Sequence, residues 1–311
     1  MLFPLDAPQF PAPAGLIVGW RDEAVVRATG IRYARAKRFG IPVAESVALT
    51  PILALTPAPA CPQVADPLLN QVLGELFATL RFDEDCLRLS LTLPADYRPN
   101  EQLPVLVWVH GGSYVTGAGD LPLYDPAALV GEQRVVFVAV TYRLGLLGFL
   151  GTEGGNPNLG LLDLLLALRW VQRNVATFGG DPRCVTLLGH SSGADAIAQL
   201  LLVPDSADLF RRVILHSAPL GLTRGRQAMT QAMRRAPAGH GPPQRRAGPR
   251  AGCGARRPRV WAEECHAIRP AVWGPSPTAR SVHQTGLGRR RAPCRRAHRG
   301  YGRGDAVLCR Y

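Results

Sequence analysis

Gly189-His190-Ser191-Ser192-Gly193 stands between Cys184-Val185-Thr186-Leu187-Leu188, a β-prone run, and Ala194 to Leu201, which reads as a helix. A serine with glycine two residues to either side, on a strand-to-helix turn, is the setting of an acyl-accepting nucleophile. Both flanks need glycine because so tight a turn leaves no room for a Cβ. The turn lifts the serine hydroxyl above the strand ends. The free N–H groups at the start of the helix then face any oxyanion formed there. A second stretch, His110-Gly111-Gly112-Ser113-Tyr114, follows another apolar run. Successive glycines let the backbone turn its N–H groups inward, which suits a developing alkoxide; one such donor contributes about 3–4 kcal/mol. Taken alone, the stretch reads equally well as an ordinary glycine turn at a strand end. Beside Ser191 the oxyanion reading is the better one.

The elements that must hold these residues alternate between strand and helix. Residues 15–20 and 25–33 read as the strands of an N-terminal hairpin, and Leu87 to Leu93 alternates apolar and polar residues like a half-exposed strand. Leu103 to Val109, Val135 to Val140 and Val185 to Leu188 are nearly unbroken apolar runs, as strands covered on both faces require. Leucines, Trp170 and Val171 recur at helical spacing over 159–178. The fold class expected is therefore α/β, with a mostly parallel central sheet. Arg143 and Asp163 fall in apolar surroundings; a buried charge persists only when paired, so the two are expected to meet, the alternative being that both reach solvent.

Charge divides the chain. Residues 1–236 carry 20 basic and 20 acidic side chains, whereas 237–311 carry 16 arginines against Glu263, Glu264 and Asp305, so the whole formal charge of +13 lies in the second part. That part is built from Arg, Pro, Gly and Ala without apolar periodicity, a composition that cannot offset its ordering entropy and is expected to be disordered. Lys37 is the single lysine of the chain. An Arg/Ala/Pro/Gly/Cys mixture is what a shifted reading frame yields in a G- and C-rich gene. The native frame is accordingly expected to end near Ala236. Two segments follow: 1–236, an incomplete α/β domain, and 237–311, a frameshifted or disordered tail.

No stretch reaches the 18 apolar residues of a membrane span, and Met1 to Asp6 shows no signal-peptide pattern, so a cytoplasmic location is expected. Of the seven cysteines, four lie in the tail, and no disulfide framework is read from them. Cys253, Cys265, His266, Cys294 and His298 match no zinc spacing. No metal or cofactor is expected.

Residues 10–236 resemble the type-B carboxylesterases, the cholinesterase-like branch of the α/β-hydrolases. The resemblance is carried in order by Gly30-Ile31-Arg32-Tyr33-Ala34 with Arg38-Phe39, by Glu84-Asp85-Cys86-Leu87-Arg88-Leu89, and by Trp108-Val109-His110-Gly111-Gly112. It continues through Tyr142-Arg143-Leu144-Gly145, Asn158 to Asp163 and Phe178-Gly179-Gly180-Asp181-Pro182 into the serine turn. What the resemblance implies is an α/β-hydrolase fold and hydrolysis of small carboxylic esters through an acyl-enzyme on Ser191. The oxyanion donors it implies are the N–H groups of Gly112, Ser113 and Ser192. Ser113 replaces the family's third glycine but keeps its N–H, and His190 stands where the family usually has glutamate. The resemblance also implies the ion pairs Arg38–Glu84 and Arg143–Asp163, and a Cys61–Cys86 link that a cytoplasmic location would leave as two thiols.

The family's acid and histidine belong to a C-terminal part that this chain does not resemble. Asp195, Asp205 and Asp208 fall on the helix after Ser191 and its exit, the wrong side for a triad. His216 ends an apolar run and reads as structural, and His240, His266, His283 and His298 lie in the arginine-rich tail. None is assigned as base, which predicts an impaired esterase and an open apolar sheet edge. Two other classes remain: a polyanion- or nucleic-acid-binding protein acting through the basic tail without sequence specificity, and a catalytically silent hydrolase-like interaction domain. The sequence does not fix an oligomeric state.

Overall fold

The structure is a computed structural model that describes residues 6–64, 71, 80–98, 101–150, 158–220 and 306–309. Its strands are β1 (Gln9–Ala12), β2 (Gly15–Val18), β3 (Trp20–Asp22), β4 (Val25–Arg32), β5 (Ala34–Arg35), β6 (Val43–Ala44), β7 (Ile52–Leu53), β8 (Arg88–Pro94), β9 (Leu103–Val109), β10 (Val136–Val140), β11 (Gly180–His190), β12 (Arg212–His216) and β13 (Ala306–Cys309). The helices that matter for the site are α1 (Ala127–Gln133), α2 (Gly145–Phe149), α3 (Leu159–Asn174) and α4 (Ser192–Leu200). The eight-stranded main sheet runs β13-β12-β11-β9-β10-β8-β4-β3. Neighbours from β13 to β10 are parallel, while β8, β4 and β3 join antiparallel. This is the α/β architecture that the alternating apolar runs imply.

Helices α3 and α4 cover one face of the sheet, packing Leu164, Leu168, Val171 and Ile197 against Val105, Val107 and Val109. Helix α1 lies on the other face, where Val130 joins Phe137 and Ala139 above Leu106 and Trp108. That second layer is thinner. Along β9, Pro104 is exposed and Leu106 and Trp108 are half-buried, and in β11 Thr186 and Leu188 are half-buried, so full cover on both faces holds for neither strand. The opposite correction applies to β8. Its alternation suggests a wet face, yet Ser90 and Thr92 are buried, so β8 is covered on both faces. Ser90 is satisfied there: its Oγ donates to Asp120 at 2.7 Å and accepts from the Gly30 N–H at 2.9 Å.

The run 15–20 is not one hairpin strand with 25–33. It divides at Gly19 into β2, which pairs with β1, and β3, which pairs with β4. Gly19 permits the division, since a Cβ there would lie 2.3 Å from the Arg27 carbonyl oxygen. The edge of β12 that was expected to lie open is paired: β13 runs parallel to it, with Val213 opposite Ala306 and His216 opposite Cys309.

Arg143 and Asp163 meet in the core. The Arg143 Nε donates to Asp163 Oδ2 at 2.8 Å, its Nη2 to Oδ1 at 2.7 Å and its backbone N–H to Oδ2 at 3.1 Å. Nη1 donates onward to the Gly40 carbonyl at 2.7 Å, tying an N-terminal loop to the start of α2 and α3. Burial pushes the Asp163 carboxyl above its ordinary range, against the pull of Arg143. Burial also works against the Arg143 charge, but the bonds to Asp163 outweigh it and raise its pKa. The fork geometry favours the ionised pair. Arg38 and Glu84 also pair, at the surface, with Nε donating to Oε1 at 2.9 Å. Cys61 and Cys86 are both buried and unbridged, and Cys61 Sγ accepts the Leu144 N–H at 3.3 Å.

His110, at the end of β9, is fully buried and stacks on Tyr142 with ring centroids 4.6 Å apart. Burial pushes its pKa down to about 4, against a hydrogen bond to the Gly111 carbonyl at 2.8 Å. The neutral ring therefore carries its proton on Nδ1. Its Nε2 has no hydrogen-bond partner among the described residues.

Two consequences can be measured by urea denaturation. Arg143→Met strands a buried carboxylate and should cost about 3–5 kcal/mol, much of it restored in Arg143→Met/Asp163→Leu. His110 is depressed on folding, so the unfolded chain binds the extra proton between pH 6.5 and 4. Stability should fall by about 2 kcal/mol from pH 7 to pH 5 through this group, and that slope should vanish in His110→Gln.

Candidate active site

Parallel pairing brings the two glycine stretches together. Val109, the last residue of β9, lies opposite Gly189 in β11, so the loop from His110 and the turn at Ser191 leave the same sheet edge side by side. Ser191 has φ 54° and ψ −122°, a strained conformation for a non-glycine residue, and immediately precedes the first residue of α4. Its N–H donates to the His216 carbonyl at 2.8 Å, and its carbonyl accepts from Asp195 at 3.0 Å, which fixes the turn from both sides.

The flanking glycines are forced by contact. A Cβ on Gly189 would come within 2.7 Å of the Ala194 nitrogen, and one on Gly193 within 2.1 Å of the Val109 carbonyl oxygen. The helix therefore starts directly against the end of β9. Gly111 closes the gap from the loop side, where a Cβ would sit 2.7 Å from the His190 carbonyl oxygen and 3.2 Å from the Ser191 Cβ.

Gly112, Ser113 and Tyr114 have φ of 104°, 55° and 64°, three successive residues in the left-handed region. The Gly112 carbonyl accepts the N–H groups of Val115 at 2.9 Å and Thr116 at 3.0 Å, curling the loop into a tight turn. The N–H groups of Gly112 and Ser113 reach no acceptor among the described residues. The Ser192 N–H, at the first position of α4, is left over by the helix itself. The loop that carries two of these N–H groups packs against the half-buried Ser191 through Gly111 and against Ser192 through the Tyr114 N–H, while α4 supplies the third. An anion placed there would meet unpaired donors and the positive end of the α4 dipole.

Other residues that the sequence singled out lie apart. Arg143 and Asp163 are in the core, and Arg38 and Glu84 at the surface pair with one another. His216 ends β12, in register with His190 at the end of β11. Asp195 is buried on α4, where its Oδ2 accepts the Tyr114 hydroxyl. The tail positions His240, His266, His283, His298, Glu263, Glu264 and Asp305 lie outside the described residues. So do Cys253, Cys265 and Cys294 and nearly all of the basic tail. Two residues with clear local roles escaped the sequence reading. Tyr114 stands in the loop with no partner near it in sequence, and Asp120, whose Oδ2 accepts the Ala58 N–H at 2.6 Å, has partners 30 and 62 positions away. Burial raises the Asp120 carboxyl above its ordinary range. No grouping of three metal-ligating side chains occurs among the described residues, and none of their helices is long and apolar enough to cross a membrane.

The sequence profile of the carboxylesterase family matches residues 6–238. A probable N-octanoylanthranilate hydrolase of Rhodococcus erythropolis is 41% identical over 230 residues, 72% of this chain and 49% of that relative. Para-nitrobenzyl esterase of Bacillus subtilis is 39% identical over 227 residues, 70% of this chain and 45% of the relative. Liver carboxylesterase of Sus scrofa is 44% identical over 167 residues, 51% of this chain and 29% of the relative. A solved para-nitrobenzyl esterase structure superposes with a TM-score of 0.62 at 36% identity, covering 67% of this chain and 44% of the other. The chain spans about half the length, or less, of the curated relatives it matches. On the profile match and these identities, the chain belongs to the carboxylesterase family.

Proposed function

We propose that the chain carries the acyl-accepting half of a serine carboxylesterase site, with small carboxylic esters as substrates. The observation that carries this reading is Ser191 in its strained turn, with Gly111 packed against it and the N–H groups of Gly112, Ser113 and Ser192 free beside it. In the reaction, Ser191 Oγ forms a bond to the ester carbonyl carbon while its proton passes to a base. The carbonyl oxygen becomes an oxyanion against the three N–H groups. The bond to the alcohol oxygen then breaks, the alcohol takes a proton, and water later attacks the acyl group to release the acid and free Ser191.

Under this reading no side chain of residues 6–238 is assigned as the proton acceptor. Among the described residues, His110 is buried, with its Nδ1 committed to the Gly111 carbonyl, and Asp195 is committed to Tyr114. A serine hydrolase without its histidine retains at most about 10³–10⁴-fold acceleration over water, from binding and oxyanion stabilisation. The chain is therefore an impaired esterase under this reading. The family match stops at residue 238, beside the change of composition near Ala236, which supports a change of reading frame there.

Two measurements test the reading. A fluorophosphonate probe should attach slowly to Ser191, as located by peptide mass spectrometry, and Ser191→Ala should abolish the labelling; attachment elsewhere, or none even on prolonged exposure, removes the nucleophile. Hydrolysis of p-nitrophenyl acetate by residues 1–311 should stay far below ordinary enzymatic turnover. Full turnover lost in Ser191→Ala would overturn the impairment.

A further inference from the structure

The amide loop has an unusual problem. Ser113 and Tyr114 both carry side chains yet sit at φ 55° and 64°, directly after Gly112 at 104°. Each such residue is held against its backbone preference, and persists only where surrounding contacts over-determine it. The hydrogen bonds to the Gly112 carbonyl are internal to the loop and cannot fix it relative to Ser191.

Among the described residues, two side-chain hydrogen bonds that start at Tyr114 cross from the loop to α4. Its N–H donates to Ser192 Oγ at 3.2 Å, and its hydroxyl donates to Asp195 Oδ2 at 2.7 Å. Tyr114, Ser192 and Asp195 are each almost completely buried, so these bonds form away from bulk water. The far side of Tyr114 is fixed as well, its carbonyl accepting the Gly145 N–H at 2.6 Å and its ring meeting Phe149 edge-on at 4.7 Å between centroids. Asp195 lies one turn into α4, the helix whose first N–H completes the trio. A bond from Tyr114 to Asp195 therefore ties the loop donors and the helix donor into one body.

We infer that Tyr114 and Asp195 form a latch that sets the N–H groups of Gly112 and Ser113 relative to Ser191 and Ser192. Tyr114 is a positioning residue in this role, since it acts on the reacting atoms only through the loop it holds. Its importance for the reaction rests on the reading of Ser191 as acyl acceptor, but the latch as a structural device does not. A carboxylate acceptor makes the bond stronger than one between neutral groups, which suits a contact that must offset two strained residues.

The test uses the full chain and the variants Tyr114→Phe, Asp195→Ala and Asp195→Asn. Hydrogen exchange of the Tyr114, Val115 and Thr116 amides should quicken by about tenfold or more in Tyr114→Phe and Asp195→Ala, the loss expected when a charge-assisted bond is removed. Exchange in β9 and β11 should stay at its original rate. Asp195→Asn keeps an oxygen acceptor for the Tyr114 hydroxyl and should restore slow exchange. In fluorophosphonate labelling, the first two variants should slow the bond-forming step by about tenfold while the concentration for half-maximal rate is unchanged, with Asn again restoring the rate.

Unchanged exchange at the three loop amides overturns the latch. So does exchange that rises equally through β9 and β11, because that result means general loosening. If the original chain is not labelled at all, the reading of Ser191 fails, while the exchange measurements still decide the latch.

Discussion

Everything at the candidate site depends on the parallel pairing of β9 with β11. Parallel strands end on the same edge, so the loop that follows one and the turn that follows the other emerge together. With Val109 opposite Gly189, only glycines separate the two backbones: Gly111 against Ser191, and Gly193 against the Val109 carbonyl. A one-residue slip of this register would move the loop amides away from the serine. The apolar residues of β9 and β11 beneath α3 and α4 oppose that slip, because it would turn Val105, Val107 and Val109 off the core face.

Backbone strain is also present where the donors are. Ser113, Tyr114 and Ser191 all hold positive φ, and none is glycine. The surrounding core supplies what these conformations cost. His110 packs on Tyr142, whose hydroxyl donates back to the His110 carbonyl at 2.9 Å, so the start of the loop is clamped before the strained residues begin. The Ser191 turn is clamped by the His216 carbonyl at the end of β12. That gives β12 a role beyond extending the sheet.

Much of this was legible in the sequence, and for identifiable reasons. The glycines around Ser191 stand in one short segment, and their spacing reports a local steric requirement. The apolar run of β10 reports burial, which composition records directly. The exceptions involve partners distant in sequence. Ser90 and Thr92 look like a solvent face but are buried, and Asp120 joins Ser90 and Ala58 across 30 and 62 positions. The run at 15–20 looks continuous because nothing near Gly19 in sequence announces that Arg27 will press against it. Tyr114 and Asp195 are 81 positions apart, and neither suggests the other without the β9–β11 register.

This pattern bears on how a site can persist in part. The donors of Gly112, Ser113 and Ser192 are organised by contacts that lie within residues 63–216: the Gly117 N–H donates to Gln63 at 2.7 Å, Tyr114 reaches Ser192 and Asp195, and Ser191 reaches His216. No step in that chain of contacts passes through the segment beyond residue 220. Electrostatic preorganisation of this kind depends on fixed dipoles already in place before the reaction, and needs no proton acceptor to exist. A base is a separate device, which raises the nucleophilicity of the same oxygen. The two can therefore be built by different parts of a chain. A segment holding the first alone can keep its geometry while losing most of its chemistry.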